Sequence, residues 1–331
     1  MMGQAVLRLK VELLTRGAQH IPWRLLRKLV AQTTGGMRVA FCLHRVRKTR
    51  RPNELLPSLS VTEAVLDEFI EQMRAARSPA EDPRWLTMAF DDGYRDAARY
   101  VASRANRYPD VEWLLFVCPH KVKERQGFRW DAYEKRSQEG TALPEYDAYV
   151  HELDTDYERE LKRRDLRDVA GEDCYALATR QELLQAASFK NVNLGNHSNT
   201  HMIDSLPLDQ ALRDLEESTR LFEEMFGPCR QFAFPFGVPG QHFRKPHVEY
   251  LRNLRPVVMW TTEQKPYFPE QRRPGALLPR IVFDGEWSAK AMALWVVLRA
   301  NRMSSTPLIP RFLALAPTGL AGFLAQAASG V

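Results

Sequence analysis

The chain has 331 residues, 44% of them hydrophobic, with 47 Lys and Arg against 41 Asp and Glu for a net charge of +6. That is too apolar and too evenly charged for an intrinsically disordered chain, and long enough for one barrel-sized catalytic unit of ~250 residues with extensions. Four cysteines without a Cys-x-x-Cys pair exclude a zinc knuckle or a dithiol redox motif, and charges break every early apolar stretch, so a secretory leader is not expected and the cytoplasmic side is.

Taken in chain order, the basic residues come first. Residues 1–53 hold 12 Lys and Arg and one acid, residues 287–331 hold four and none, and the middle holds 31 basic and 40 acidic residues. The positive balance is thus terminal, and with no nucleic-acid motif present a nucleic-acid partner is not expected. Residues 1–34 read as a basic amphipathic extension in which Trp23, Leu25, Leu26, Leu29 and Val30 share an apolar face beside Arg24, Arg27 and Lys28. Such a helix suits docking on an anionic membrane surface, the inner face of the cell membrane, or packing as a cover on the folded body.

Residues 35–286 form the central unit. Seven short apolar runs within it read as buried strands: 37–43, 85–90, 112–118, 191–195, 230–234, 256–261 and 277–283. Amphipathic helices are predicted between them at 61–77, with a Ser60/Glu63 capping box, and at 208–226, ending before Gly227-Pro228. Strand and helix alternate, which predicts a parallel α/β barrel. Residues 119–178 interrupt the rhythm with a long, charged, partly helical insertion placed to cover a site. Residues 287–331 follow as an apolar and basic helical extension; its uncharged stretch 312–328 is too short, at 17 residues, for the ~20 of a membrane span.

Residues able to do chemistry gather where predicted strands end. Asp91-Asp92-Gly93 follows the second strand; the trio is also ordinary turn chemistry. His197 and His201 follow the fourth strand, four residues apart, so that one helical turn would put both on one face. One carboxylate and two imidazoles with an open position suit catalytic zinc, and also resemble the facial triad of non-haem iron. His44 follows the first strand, Phe234-Pro235-Phe236-Gly237 the fifth, and Arg280 lies in the seventh. In parallel barrels the C-terminal strand ends build the active site, so these positions are expected to converge.

The Phe90-Asp91-Asp92-Gly93 run and His197-Ser198-Asn199-Thr200-His201 resemble the first two motifs of the polysaccharide deacetylases, carbohydrate esterase family 4, which include the nodulation-type chitooligosaccharide deacetylases. Phe234-Pro235-Phe236-Gly237 is similar to their aromatic-Pro-aromatic-Gly motif, without the arginine many members carry before the proline, and the usual late Leu-His element is missing. The resemblance spans about residues 37–285 and implies a distorted (β/α)7 barrel that removes acetyl groups from N-acetylated sugars of a glycan, with one divalent metal ion, most readily Zn2+. It implies Asp91 as catalytic base and Asp92, His197 and His201 as metal ligands. It further implies His44, in Phe41-Cys42-Leu43-His44, as general acid in a rearranged motif order, and Arg280, in Leu278-Pro279-Arg280-Ile281, as the residue that orients the base. Phe234, Pro235, Phe236, Gly237 and Trp130 are the expected substrate-binding residues, Trp130 with Asp131 as a sugar subsite or as core. The same metal site acting on an O-acetyl ester or a small cyclic amide, and a non-catalytic glycan- or membrane-binding barrel, are the competing readings.

Overall fold

The computed structural model describes residues 15–303 apart from 52, 53, 55, 78–81, 141–168, 170 and 256. The predicted 312–328 stretch and the middle of the 119–178 insertion lie outside the described residues.

Eight parallel strands follow one another in the order β10-β1-β4-β5-β6-β7-β8-β9. They are β1 (Val39–Leu43), β4 (Leu86–Phe90), β5 (Glu112–Val117), β6 (Val192–Asn196), β7 (Gln231–Ala233), β8 (Val258–Thr261), β9 (Leu277–Pro279) and β10 (Ile281–Val282). A side pair, β2 (Arg45–Arg47) with β3 (Ser60–Thr62), is also parallel. β9 and β10 are one chain segment interrupted at Arg280: its first half pairs with β8 and its second with β1, as in Phe41↔Ile281. Seven chain segments therefore close the ring, and all seven coincide with the predicted runs, so the distorted (β/α)7 barrel is observed.

Every residue of β1, β4 and β5 is buried, as expected where helices cover one face and the lumen fills the other. Alternate side chains point opposite ways along a strand. One set, including Ala40, Ala89, Leu114, Phe116, Ala233, Trp260 and Leu278, packs together as the lumen core. The other, including Phe41, Phe90, Trp113 and Met259, belongs to the larger core beneath the helices. At the N-terminal end the lumen is shut by Arg272, whose guanidinium reaches both Glu112 carboxylate oxygens at 2.5 and 2.6 Å, while Thr87 Oγ1 donates to the same carboxylate at 2.9 Å.

The helices are α1 (Trp23–Thr33), α2 (Glu63–Ala76), α3 (Arg95–Arg104), α4 (Pro119–Glu124), α5 (Arg129–Gln138), α6 (Arg180–Ala187), α7 (Leu208–Phe226), α8 (Lys245–Leu254) and α9 (Ala289–Asn301). The expected Ser60/Glu63 capping box is not formed. Thr62 caps α2 instead, its hydroxyl accepting from Val65 N, while Ser60 belongs to β3 and donates to Glu54 at 2.5 Å. α1 packs on α2 and α9, with Leu26, Leu29 and Val30 buried and Trp23 Nε1 donating to Glu68 at 2.9 Å. Of the two expectations for its apolar face, the structure realises the cover on the barrel, and that face is unavailable to a membrane while α1 stays packed. Among the described residues no helix is long and apolar enough to cross a membrane.

Candidate active site at the C-terminal strand ends

The lumen-facing series runs straight into the site. Beyond Ala40 and Cys42 comes His44, beyond Thr87 and Ala89 comes Asp91, and beyond Leu278 comes Arg280. On these first two strands the preceding inward side chains, Cys42 and Ala89, are small and leave room for His44 and Asp91. Arg280 is 0% exposed and grips Asp91 with both arms, Nη1 to Oδ1 at 2.5 Å and Nη2 to Oδ2 at 2.9 Å. Cys42 Sγ donates to Asp91 Oδ2 at 3.3 Å. Burial works to raise the Asp91 carboxyl, but the charge of Arg280, helped by His197, overrides it and brings the group down to about 2. Asp91 is therefore an ionised carboxylate at neutral pH.

Asp92 turns the other way because the chain reverses there. Its φ is +72°, and Gly93 follows at +80°; a Cβ on Gly93 would lie 3.0 Å from Val117 Cγ1, so this turn accepts glycine alone. Left-handed backbone at non-glycine residues marks sites where surrounding structure holds strain, and Asp92, Ser198, His201 and Phe236 all show it. The histidines accordingly converge by a different route from the expected helical turn. Residues 197–202 are loop, and left-handed Ser198 and His201 fold the chain back so that the rings meet with centroids 4.9 Å apart. Asp214 of α7 pins this loop by accepting from Asn199 N at 2.9 Å and Thr200 N at 3.0 Å, and Ser198 Oγ accepts from His201 N.

The result is a cluster of three buried ligand atoms. Asp92 Oδ1 stands 3.6 Å from His197 Nε2 and 3.3 Å from His201 Nε2. His197 Nδ1 donates to the Ala233 carbonyl at 2.8 Å; a carbonyl only accepts, so Nε2 keeps its lone pair toward Asp92. Burial holds both imidazoles neutral, that of His201 most strongly. Burial, reinforced by the charge of Asp91, pushes Asp92 well above the ordinary carboxylate range. Its Oδ1 has no hydrogen-bond partner among the described residues. A buried carboxylate oxygen without a donor, set beside the His197 Nε2 lone pair and the His201 Nε2, is costly as it stands and is satisfied by a cation. The residues thus fit a divalent metal; the N2O donor set suits zinc.

No protein-family model and no curated protein matches this chain. Solved structures do. The Streptococcus pyogenes deacetylase PplD, solved in complex with acetate, aligns with a TM-score of 0.52 at 13% identity over 78% of this chain and 98% of its own. BC0361, a polysaccharide deacetylase from Bacillus cereus, gives 0.51 at 12% identity over 78% of this chain and 68% of its own. This chain has the polysaccharide deacetylase fold. A de-N-acetylase from Aggregatibacter actinomycetemcomitans aligns with a TM-score of 0.50 at 10% identity, over 78% of this chain and 99% of its own. At such identities the likeness is one of fold.

Within that fold the other expected residues are distributed unevenly. His44 joins Cys42 and Asp91 in a second cluster whose ligand atoms lie within 4.8 Å of one another. Burial takes its imidazole down to about 4 against the pull of Asp91, so it is neutral at pH 7 in the resting site. Phe236 is 37% exposed, stands edge-on to His201 at 4.9 Å and lies 5.1 Å from the His242 ring, placing an aromatic face at the rim. Phe234 does not share it. Its ring is 0% exposed and stacked on Phe243 at 3.8 Å, on the core side of the strand end. Pro235 and Gly237 are buried too and shape the loop; Gly237 presses against Thr262. Trp130 is 7% exposed and packs beside His201, whereas Asp131 is 0% exposed and bound to Arg45, which removes it from any sugar subsite. Cys42, Asp214 and Phe128 went unpredicted. A buried thiol, a mid-helix acid and an aromatic in an insertion carry no spacing signal.

Proposed function

We propose that this chain is a metal-dependent hydrolase that removes acetyl groups from the N-acetylated sugars of a glycan. The observation that carries the reading is the buried, donor-less Asp92 Oδ1 facing His197 Nε2 and His201 Nε2, next to a carboxylate that Arg280 keeps ionised. Asp92, His197 and His201 would hold the metal, most readily Zn2+, which supplies Lewis acidity that polarises a carbonyl and acidifies water.

Around it the chain's own groups divide the work. Asp91 accepts the proton of the attacking water, and Arg280 keeps it deprotonated and aimed. An amide nitrogen leaves only when protonated, and His44 lies beside Asp91 to provide that proton. Because His44 rests neutral, it delivers a proton taken up during turnover, for which Asp91 is a source within 4.8 Å. Water adds to the acetyl carbon, the C–N bond breaks, and acetate and a free amino sugar result. Phe236 offers a ring face on which a pyranose can stack at the rim. Metal analysis of the purified chain, joined to an acetate-release screen over N-acetylated and O-acetylated glycans, tests the proposal. Release from N-acetyl substrates by metal-loaded protein supports it, and release confined to O-acetyl esters overturns it.

A further inference from the structure

The two candidate ligand histidines are held in unlike ways. His197 has the usual outer partner, a carbonyl on its far nitrogen. His201 has none: its Nδ1 is buried without a hydrogen-bond partner among the described residues. What surrounds it is aromatic. Trp130 meets it edge-on at 5.0 Å, Phe236 at 4.9 Å and Phe128 at 5.8 Å, with Phe128 stacked on Trp130 at 4.4 Å.

Trp130 is itself tethered. Its Nε1 donates to Tyr94 Oη at 2.9 Å, and the Tyr94 hydroxyl donates to Asp131 Oδ2 at 2.9 Å. Arg45 Nη2 reaches Asp131 Oδ1 at 2.6 Å, while its Nη1 faces Glu134 at 3.5 Å and Glu54 at 3.6 Å. Arg45, Asp131 and Glu134 are 0% exposed and Tyr94 1%. The chain of contacts joins the strand after His44, the turn after Asp92-Gly93 and the insertion helix α5 in one buried polar network, and its apolar end rests on a candidate ligand.

We infer that Trp130, fixed through Tyr94 by the Arg45–Asp131 ion pair, is a positioning residue for His201, and that the insertion helix thereby sets the affinity of the site for its metal. An imidazole lacking an outer hydrogen bond is free to turn about its χ2 bond; a wall of rings anchored by the tethered Trp130 restricts that turn by shape. The inference rests on the reading of Asp92, His197 and His201 as ligands, and it assigns α5 a part in the site's chemistry beyond covering it.

The probe is Co2+, titrated into the full-length metal-free chain with the visible absorption of the bound ion as readout and thermal unfolding of the metal-free protein alongside. Trp130→Phe removes the tether but keeps a ring; Tyr94→Phe removes one hydroxyl and keeps both the ring and the ion pair, so the test survives if the first variant folds poorly. Trp85→Phe, the same change at a core tryptophan 1% exposed at the opposite strand end, is the control. Tethering predicts a Kd raised about 10-fold or more in the first two, the usual loss when an outer partner of a ligand is removed, with an altered cobalt spectrum and no change in the control. Wild-type affinity and spectrum in both variants, with lowered thermal stability only, would overturn it. A wild-type chain that takes up no Co2+ would instead overturn the metal site, and with it the inference.

Discussion

Replacing Arg280 with Gln removes the only arginine that touches Asp91 among the described residues and leaves a carboxylate at 4% side-chain exposure with one thiol donor. Breaking a buried pair from one side costs roughly 3–5 kcal/mol. A second route gives a similar scale. Asp91 sits at about 2 in the folded chain against 3.8 for a free carboxyl, a gap worth about 2 to 3 kcal/mol at ~1.4 kcal/mol per pH unit. Because the folded value is the lower one, that stability is present above pH 3.8 and lost as pH falls through about 2. In the variant burial is opposed only by the weaker pull of His197 and His44, so Asp91 rises above its wild-type value and the deficit against wild type is greatest at neutral pH and shrinks in acid. The acid limb of the pH–activity profile moves upward for the same reason. Urea unfolding between pH 3 and 8, followed by tryptophan fluorescence, reads the first effect, and acetate release over the same range reads the second. Adding Asp91→Asn to Arg280→Gln removes the stranded charge and restores at least half of the lost stability without restoring turnover. A deficit under about 0.5 kcal/mol at pH 7, or no recovery in the double variant, would refute the assignment of Arg280 as the group that holds Asp91 ionised.

Asp91→Asn alone is expected to keep one equivalent of metal while lowering turnover by about 10² or more, and loss of metal in this variant would show that Asp91 is a ligand rather than the base. His44→Ala should slow cleavage of N-acetyl substrates more than of O-acetyl esters, whose oxygen leaves without full protonation; equal slowing of both contradicts the acid role. Phe236→Ala should raise KM several-fold with stability kept, while Phe234→Ala should cost roughly 3–5 kcal/mol of stability, since only the first ring faces outward. In α1, Leu29→Ala should cost roughly 2–5 kcal/mol because its side chain lies in the core; a change under 0.5 kcal/mol would return that face to the membrane-docking alternative.

Much of the frame was legible because a parallel barrel buries its strands on both faces, and runs such as Met37–Leu43 and Trp85–Phe90 carry that signature without ambiguity. The convergence of Asp91, His197 and Arg280 was legible for a related reason: the fold puts all C-terminal strand ends on one side, so a reactive residue's position at a strand end is already spatial information. Details set by backbone sign were not. Nothing in Asn199-Thr200 announces that His201 turns left-handed, and the helical-turn expectation for the pair followed from spacing alone. Nor does local pattern distinguish Phe234 from Phe236. They sit two residues apart, but the backbone reversal at Phe236 sends one ring into the core and the other to the rim. The Arg45–Asp131 pair spans 86 residues and joins a strand to an insertion, a contact that only the packed chain specifies.

The central claim is tested most directly by acetate release from an N-acetylated chito-oligosaccharide, measured on one preparation before chelation, after exhaustive chelation and after return of one equivalent of Zn2+. With Asp92, His197 and His201 as the metal site, release falls by at least about 10²-fold on chelation and returns with the single equivalent, and a His197→Ala chain shows neither release nor recovery. Undiminished release from metal-free protein, or recovery by His197→Ala, would contradict the account.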